Sequence, residues 1–199
     1  ANRLYLGDGS GGFGAGANLS ADTHSTYGTS LGDVDGDGAL DLVAGNNGAN
    51  RLYLGDGSGG FGTGANITSD AHATYSTNFA DVDGDGALDL VAGNNGANRL
   101  YLGDGSGSFA AGANITADAH YTNSTRIGDV DGDGDLDLIA GNISQVNRLY
   151  LGNGSGSFAA GADITADVHA TYSTSIGDVD GDGDLDLIVG NIHPHLNRV

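Results

Sequence analysis

The chain of 199 residues has no cysteine, methionine, tryptophan, glutamate or lysine, and only one proline. Without cysteine no disulfide can form, and the redox compartment leaves no trace in the sequence. The lack of Trp and Met, together with 38 glycines, argues against one solid core of large side chains. Small cores repeated in layers fit better. Losing Glu and Lys removes two strong helix formers. Gly, Asn, Asp, Ser and Thr favour turns, while Val, Ile, Leu and Tyr supply short strands. No apolar run of 18 residues occurs, so no membrane-spanning helix and no membrane insertion are expected. Signal-peptide and lipidation motifs are absent as well. Residue 1 already lies in the repeat pattern, so an export signal is expected to have been removed or to lie outside this chain.

What the chain has in quantity is aspartate. All 26 acidic residues are Asp, against six Arg, for a formal net charge of −20. Such a balance repels nucleic acid and anionic lipid surfaces. The charge is concentrated: 18 of the 26 Asp lie in four copies of one nine-residue segment. The copies are DVDGDGALD at Asp33–Asp41 and Asp81–Asp89, and DVDGDGDLD at Asp129–Asp137 and Asp178–Asp186. They are spaced by 48, 48 and 49 residues. Four divalent cations would bring −20 to −12 (4 × 2 = 8), so much of the acidity reads as ligand supply.

The whole chain follows this period. Repeats span 2–49, 50–97, 98–146 and 147–196, and 197–199 starts a fifth, all in one domain over 1–199. Each unit opens with an Asn-Arg pair and an alternating strand, RLYLG in the first copy. A Gly-rich turn follows and ends at Phe13, Phe61, Phe109 or Phe158. A weaker strand, a variable His-containing link, a strand into the Asp segment (Tyr27–Val34) and a strand out of it (Leu40–Ala44) complete the unit. That makes four short antiparallel strands per unit with no helical period. A period of about 48 with four strands indicates an all-β, β-propeller-type repeat array.

The Asp segment has the chemistry of a calcium loop. Asp33, Asp35 and Asp37 alternate with Val34 and Gly36, so a tightly curled loop points three carboxylates at one centre. Gly36 and Gly38 permit backbone angles that a β-carbon opposes. Ala39 offers its carbonyl at the seventh position, Asp41 closes the shell at the ninth, and Leu40 is expected to point inward as an anchor. An all-oxygen, highly charged shell suits Ca2+ better than magnesium or zinc. It is not an EF-hand, because the twelfth position is Ala44 and the flanks are strands. A metal-free Asp-Gly turn is the plain alternative for one copy; four copies in register favour the metal.

These residues, in the contexts GDVDGDGALDLVAGN and NRLYLGDGSGGF, resemble the FG-GAP and VCBS repeat family. That family includes the calcium-bearing blades of integrin α-subunit propellers and many secreted bacterial surface proteins. The resemblance covers nearly the whole chain. It implies a propeller whose calcium loops join the first and second strands of each blade. By motif position it places the metal ligands on Asp33, Asp35, Asp37, the Ala39 carbonyl and Asp41. The second loop uses Asp81, Asp83, Asp85, the Ala87 carbonyl and Asp89. The third uses Asp129, Asp131, Asp133, the Asp135 carbonyl and Asp137, and the fourth Asp178, Asp180, Asp182, the Asp184 carbonyl and Asp186. About four Ca2+ per chain follow. In family register the chain opens with strands three and four of a blade and ends after strands one and two. It therefore forms a four-bladed ring closed by a mixed blade, half of an eight-bladed ring made by two chains, or part of a longer array.

Other recurring residues carry weaker signals. His24, His72, His120 and His169 each follow an Asp by two residues. They form either a ligand-contacting set or a His–Asp bond tying the link to its blade, and recurrence in every unit favours the structural role. The Tyr5, Tyr53, Tyr101 and Tyr150 series and the Phe13 series suit filling between blades better than stacking on sugars. No nucleophile elbow or distinctive oxyanion loop is present, so no enzyme is expected. The expected function is a non-enzymatic extracellular or cell-surface calcium-binding module for adhesion or recognition. Its partner would be a glycan or an extracellular protein. A propeller lectin and a self-assembling surface protein, associating through its terminal strands, are the other two readings.

Overall fold

The computed structural model describes residues 1–192. The start of the fifth repeat at 197–199 and the irregular His193-Pro194-His195 connection lie outside the described residues. Twelve strands and no helix make up the rest. They are β1 (Arg3–Leu4), β2 (Ala17–Asn18), β3 (Thr26–Gly32), β4 (Asp41–Gly48), β5 (Arg51–Tyr53) and β6 (Ala65–Asn66). Then follow β7 (His72–Ala80), β8 (Asp89–Tyr101), β9 (Ala113–Gly128), β10 (Asp137–Tyr150), β11 (Ala162–Gly177) and β12 (Asp186–Ile192).

The first complete blade is β3-β4-β5-β6, antiparallel throughout, with Leu31 opposite Leu42 and Leu42 opposite Tyr53. The next two blades repeat it with longer strands. β8 and β10 each cover the positions of both β4 and β5, while β9 and β11 run from the outermost strand of one blade into the innermost strand of the next. Each blade thus takes its two inner strands from the end of one sequence unit and its two outer strands from the start of the following one. β1–β2 is an outer pair by itself, and β11–β12 ends as an inner pair.

Four short strands per unit were expected, and the long strands have a physical cause. The His-containing link is strand in the third and fourth units and becomes strand at His72 in the second, whereas in the first His24 lies in irregular chain before β3. In the second and third units it pairs with the strand-to-strand turn of the preceding blade: Gly48 opposite His72, Gly96 opposite His120. Gln145 opposite His169 repeats this in the fourth. Backbone pairing therefore crosses these three seams, with register shifts at Ala97/Arg99 and Val146/Arg148 in the last two.

Blades are covered on both faces, which explains the apolar run after each Asp loop. Residues Asp41 to Asn46 are all buried. One core cluster joins Val34, Val43 and Leu52 to Leu90, Ala92 and Tyr101 of the next blade. A second repeats it one blade on with Val82, Val91, Leu100, Leu138, Ala140 and Tyr150. These are the small layered cores that the composition indicates. One buried Thr–Asn pair recurs in successive blades: Thr74 Oγ1 donates to Asn94 Oδ1 at 2.7 Å, and Thr122 and Thr171 do the same to Asn142 and Asn191.

Among the described residues the ring does not close. β1–β2 forms a sheet of its own, apart from the ten-stranded path that ends at β12. The closed four-bladed arrangement is therefore not what these residues form; the open array agrees with a partial propeller.

Candidate metal centres and blade seams

The Asp loops lie between the first and second strands of each blade. Gly36 and Gly38 have φ of +75° and +88°, and the equivalent glycines of the other three loops share that left-handed backbone. These angles let the chain turn back on its own first residue. Asp33 accepts from Gly36 N at 2.8 Å and from Gly38 N at 2.9 Å through its two oxygens. Ala39 N donates to Asp37 at 2.7 Å. Ala87, Asp135 and Asp184, at the same seventh position, donate to Asp85, Asp133 and Asp182.

The curl brings carboxylates together four times. Asp33, Asp35 and Asp37 each offer an oxygen within 4.8 Å of the others, as do Asp81, Asp83 and Asp85. In the third and fourth loops the sets are Asp129, Asp131, Asp137 and Asp178, Asp180, Asp186. Oxygens about 2.4 Å from one calcium lie at most about 4.8 Å apart, so the donor set fits such an ion in size, hardness and charge. The crowding shows in the acidity of the groups. Burial, then the charges of the neighbouring Asp residues, push the Asp35 and Asp131 carboxyls above the usual carboxylate range. Burial raises Asp89 too, against hydrogen bonds from Gly103 and Val82.

The ninth position has a second task that the sequence reading missed. Asp41 is fully buried. Its Oδ2 accepts from Val34 N at 2.9 Å and its Oδ1 from Gly55 N at 2.8 Å. Asp89 and Asp137 repeat both bonds. This carboxylate ties the Asp loop to the turn that follows the third strand. The signal was available: an Asp set at the start of the buried run LDLVA needs backbone donors. Leu40, expected to point inward, is 57% exposed. Its counterparts Leu88 and Leu136 pack against the core clusters. The position anchors a blade to the one before it, so Leu40 anchors only where a blade face covers it.

The Gly-rich turns close the seams. Gly107 N donates to Val34 O at 3.0 Å and Gly156 N to Val82 O at 3.1 Å, so the turn of one blade grips the Asp loop of the blade before. Further out, Arg51 Nε lies 2.9 Å from Asp22 Oδ2, and Tyr53 donates to the same oxygen. Arg99 with Asp70 and Arg148 with Asp118 repeat the pair at 2.6 and 3.1 Å. These three Asp residues precede His24, His72 and His120 by two. Their carboxylates reach across to Arg and Tyr, whereas the structural reading of the sequence set them against His. Tyr53's bond, then Arg51, lower the Asp22 carboxyl, with a smaller attraction from His24.

The histidines occupy the link. His72 and His120 are half-buried, and His24 and His169 are exposed. Beside them runs a column of tyrosines: Tyr27 stacks on Tyr75 with centroids 4.8 Å apart, and Tyr121 tilts against Tyr75 at 4.7 Å. The third unit carries Asn123 at the sequence position of that tyrosine, yet Tyr121 restores the ring from the other side of Thr122. Of the seam aromatics, Tyr53, Tyr101 and Tyr150 are buried as expected of fillers, while Tyr5 and Phe13 are exposed at the open edge. Arg126 stands where the other units carry Ser30, Asn78 and Ser175; it donates to Thr125 O at 2.7 Å, an oxygen that Asn78 Nδ2 of the blade before also reaches at 3.2 Å.

Repeated four-stranded blades, packed seam to seam, with a carboxylate loop between their inner strands, define a partial β-propeller. The sequence identifies which kind. An FG-GAP-like repeat pattern matches residues 33–92, 81–140 and 129–189, and the chain belongs to the FG-GAP-like repeat family. Among curated proteins none matches it. Among solved structures, a lectin of Agrocybe aegerita, described as recognising non-reducing terminal N-acetylglucosamine, is similar with a TM-score of 0.65 and 18% identity. The match covers 93% of this chain and 54% of the lectin, so the chain spans about half the lectin's length. The V. cholerae biofilm matrix protein Bap1 matches with a TM-score of 0.52 and 19% identity, over 82% of this chain and 24% of Bap1. At these identities the likeness is one of fold. No helix among the described residues is long and apolar enough to cross a membrane.

Proposed function

We propose that this chain is a non-enzymatic, calcium-ordered recognition module that works outside the cell or at its surface. The observation that carries the reading is the fourfold recurrence of three carboxylate oxygens within 4.8 Å, on loops built by left-handed glycines. Calcium bound there would relieve the mutual repulsion of the Asp groups and fix the turn between the inner strands. Because each of the first two loops is gripped by the next blade's Gly turn, ordering a loop also orders a seam. The ion's task is structural: it holds blades in register so that their rims present a fixed surface.

A glycan is the ligand class that the seams favour. Two equivalent pockets lie between blades, of ≈ 230 and ≈ 270 Å³. Phe109, Asn66 and Ser108 line one, and Phe158, Asn114 and Ser157 the other. An aromatic face beside amide and hydroxyl groups is suited to a sugar ring, which has an apolar face and a polar edge. The Agrocybe lectin's described ligand, terminal N-acetylglucosamine, is the first sugar to try. A glycan array probed in calcium, and again with chelator, tests the reading. Saturable hits lost on chelation support it. A blank array in calcium would move the ligand class to an extracellular protein.

A further inference from the structure

The chain has no cysteine, methionine or tryptophan, the side chains that usually take up an oxidant first. An oxidising equivalent therefore settles on its eight tyrosines. Tyr53, Tyr101 and Tyr150 are buried, each at an Arg–Asp pair that fixes the seam. Tyr27, Tyr75 and Tyr121 instead touch one another. The rings of Tyr27 and Tyr75 are nearly parallel, 11° apart in plane with centroids 4.8 Å apart. Tyr121 adjoins Tyr75 at 4.7 Å, tilted by 50°. Stacking at such spacing brings ring carbons to about 3.5–4.0 Å, which is van der Waals contact.

The backbone holds the first two rings in register. Tyr27 is on β3 and Tyr75 on β7, the inner strands of neighbouring blades. A β-carbon added at Gly28 would lie 2.9 Å from the Tyr75 carbonyl oxygen and 3.2 Å from the Ser76 Cα, so the strands meet backbone to backbone there. Two residues on, Ser30 Oγ donates to Thr77 O at 2.7 Å. Tyr27 is 48% exposed, which opens the stack to an oxidant from solution.

We propose that Tyr27 and Tyr75 are an oxidative modification site, joined within one chain as a dityrosine by hydrogen peroxide acting through a haem peroxidase. Each phenol gives up one electron and its hydroxyl proton and becomes a phenoxyl radical, whose spin reaches the ring carbons beside the oxygen. A first radical exchanges among the three rings in contact, and a second oxidation leaves two radicals to couple where the rings lie parallel. One carbon–carbon bond forms between a Cε of each ring, and the hydrogen on each of those carbons returns to a phenol oxygen as the rings become aromatic again. In sum, two ring C–H bonds break, one C–C bond forms, and the two electrons and two protons reduce one peroxide to two waters. The net charge of −20 keeps separate chains apart, which favours coupling inside one chain. In a chain without disulfides the bond ties one blade to the next and shortens the unfolded chain's reach. It needs neither calcium nor glycan, so it stands independently of the function proposed above.

The full chain is treated with a haem peroxidase and hydrogen peroxide, and separately with photo-excited ruthenium tris-bipyridine and persulfate, a smaller one-electron oxidant. Dityrosine fluorescence, intact mass and peptide mapping are read together. The expected product has the mass of one chain less two hydrogens. Cleavage at arginine then leaves segments 4–51 and 52–99 joined, and fragmentation places the bond on Tyr27 and Tyr75. Tyr5→Phe and Tyr53→Phe, which remove the other tyrosine of each segment, should keep the product, and Tyr75→Phe should lose it. Unfolding the chain in denaturant before oxidation should spread the coupling over other tyrosines. The purified product should melt at a higher temperature than the untreated chain, in chelator as well as in calcium. No dityrosine with either oxidant overturns the proposal. So does a bond confined to pairs of chains, a bond between other tyrosines of the folded chain, or an undiminished yield in Tyr75→Phe. Circular dichroism shows whether that variant keeps the fold; if it does not, Tyr27→Phe makes the same test, and an undiminished yield there overturns the proposal too.

Discussion

The phenol of Tyr53 donates to Asp22 Oδ2 at 2.6 Å across 31 residues of chain, and Arg51 Nε reaches that same oxygen at 2.9 Å. The contact holds the link that leaves one blade against the third strand of the next. Tyr53→Phe removes the donor and keeps the ring that fills the seam. A hydrogen bond of this kind contributes about 1 kcal/mol, so Tm should fall by about 2–4 °C for a chain of this size. Scanning calorimetry of Tyr53→Phe, Asp22→Asn and the double variant checks it. The double loss should be smaller than the sum, because both changes break one contact. Additive losses would mean the two groups act independently.

The ninth-position Asp should differ from its loop partners. Asp89→Ala leaves the Val82 and Gly103 amides without their acceptor, at a cost of roughly 2–5 kcal/mol. That loss appears even in chelator. Asp85→Asn should leave the metal-free chain close to its original stability and weaken one metal site. Chemical denaturation with and without calcium separates the two. Equal behaviour of both variants in chelator would contradict the division of labour.

The Gly-rich turn makes a milder prediction from within the sequence. Asp56 Oδ1 accepts from Ser58 N, Ser58 Oγ and Gly60 N, and those bonds hold its carboxyl below the usual range. In the fourth unit Asn153 makes the same three bonds with Ser155 and Ser157. Asp56→Asn should therefore leave Tm at neutral pH nearly unchanged, and Asp56→Ala should lower it. The aspartate's contribution is present above its unfolded pKa and is lost as pH falls through the lower folded one. The two chains should then diverge only in acid, which thermal melts at a series of pH values will show.

Alkali should loosen the seams through the tyrosines. Burial first, then the charge of Asp118, push Tyr150 up to about 12. A hydrogen bond with Tyr75, then burial, push Tyr121 up to about 12. A folded value above the unfolded value of about 10 means stability fully present below about 10 and lost as pH rises toward about 12. Phenolate absorbance should therefore rise late for these rings in the folded chain, and Tyr150→Phe should blunt the loss of stability between those values. An unchanged alkaline profile in that variant would remove Tyr150 from the account.

Much of this was legible in the sequence, because a repeat states its own rules several times. The four Asp loops, their glycines and the all-β blades follow from the 48-residue period and the spacing of DVDGDG. The blade boundaries did not follow, because pairing such as Gly96 with His120 depends on which turn the neighbouring blade brings alongside. The exposure of Leu40 and the two tasks of Asp41 were hidden for the same reason. Each depends on what stands across a seam, and local pattern does not record that. Tyr121 is the sharpest case. The sequence shows a missing tyrosine at Asn123, and the fold supplies the ring from two residues earlier.

The most direct measurement is a calcium titration of chelator-stripped chain, followed by calorimetry and by the thermal melt. The account predicts about four sites per chain and a Tm that climbs with calcium. Each site held at a hundredfold excess over its Kd adds about 2.7 kcal/mol when the unfolded chain does not bind. No heat of binding and superimposable melts in calcium and in chelator would contradict it, and the clustered aspartates would then be turns without an ion.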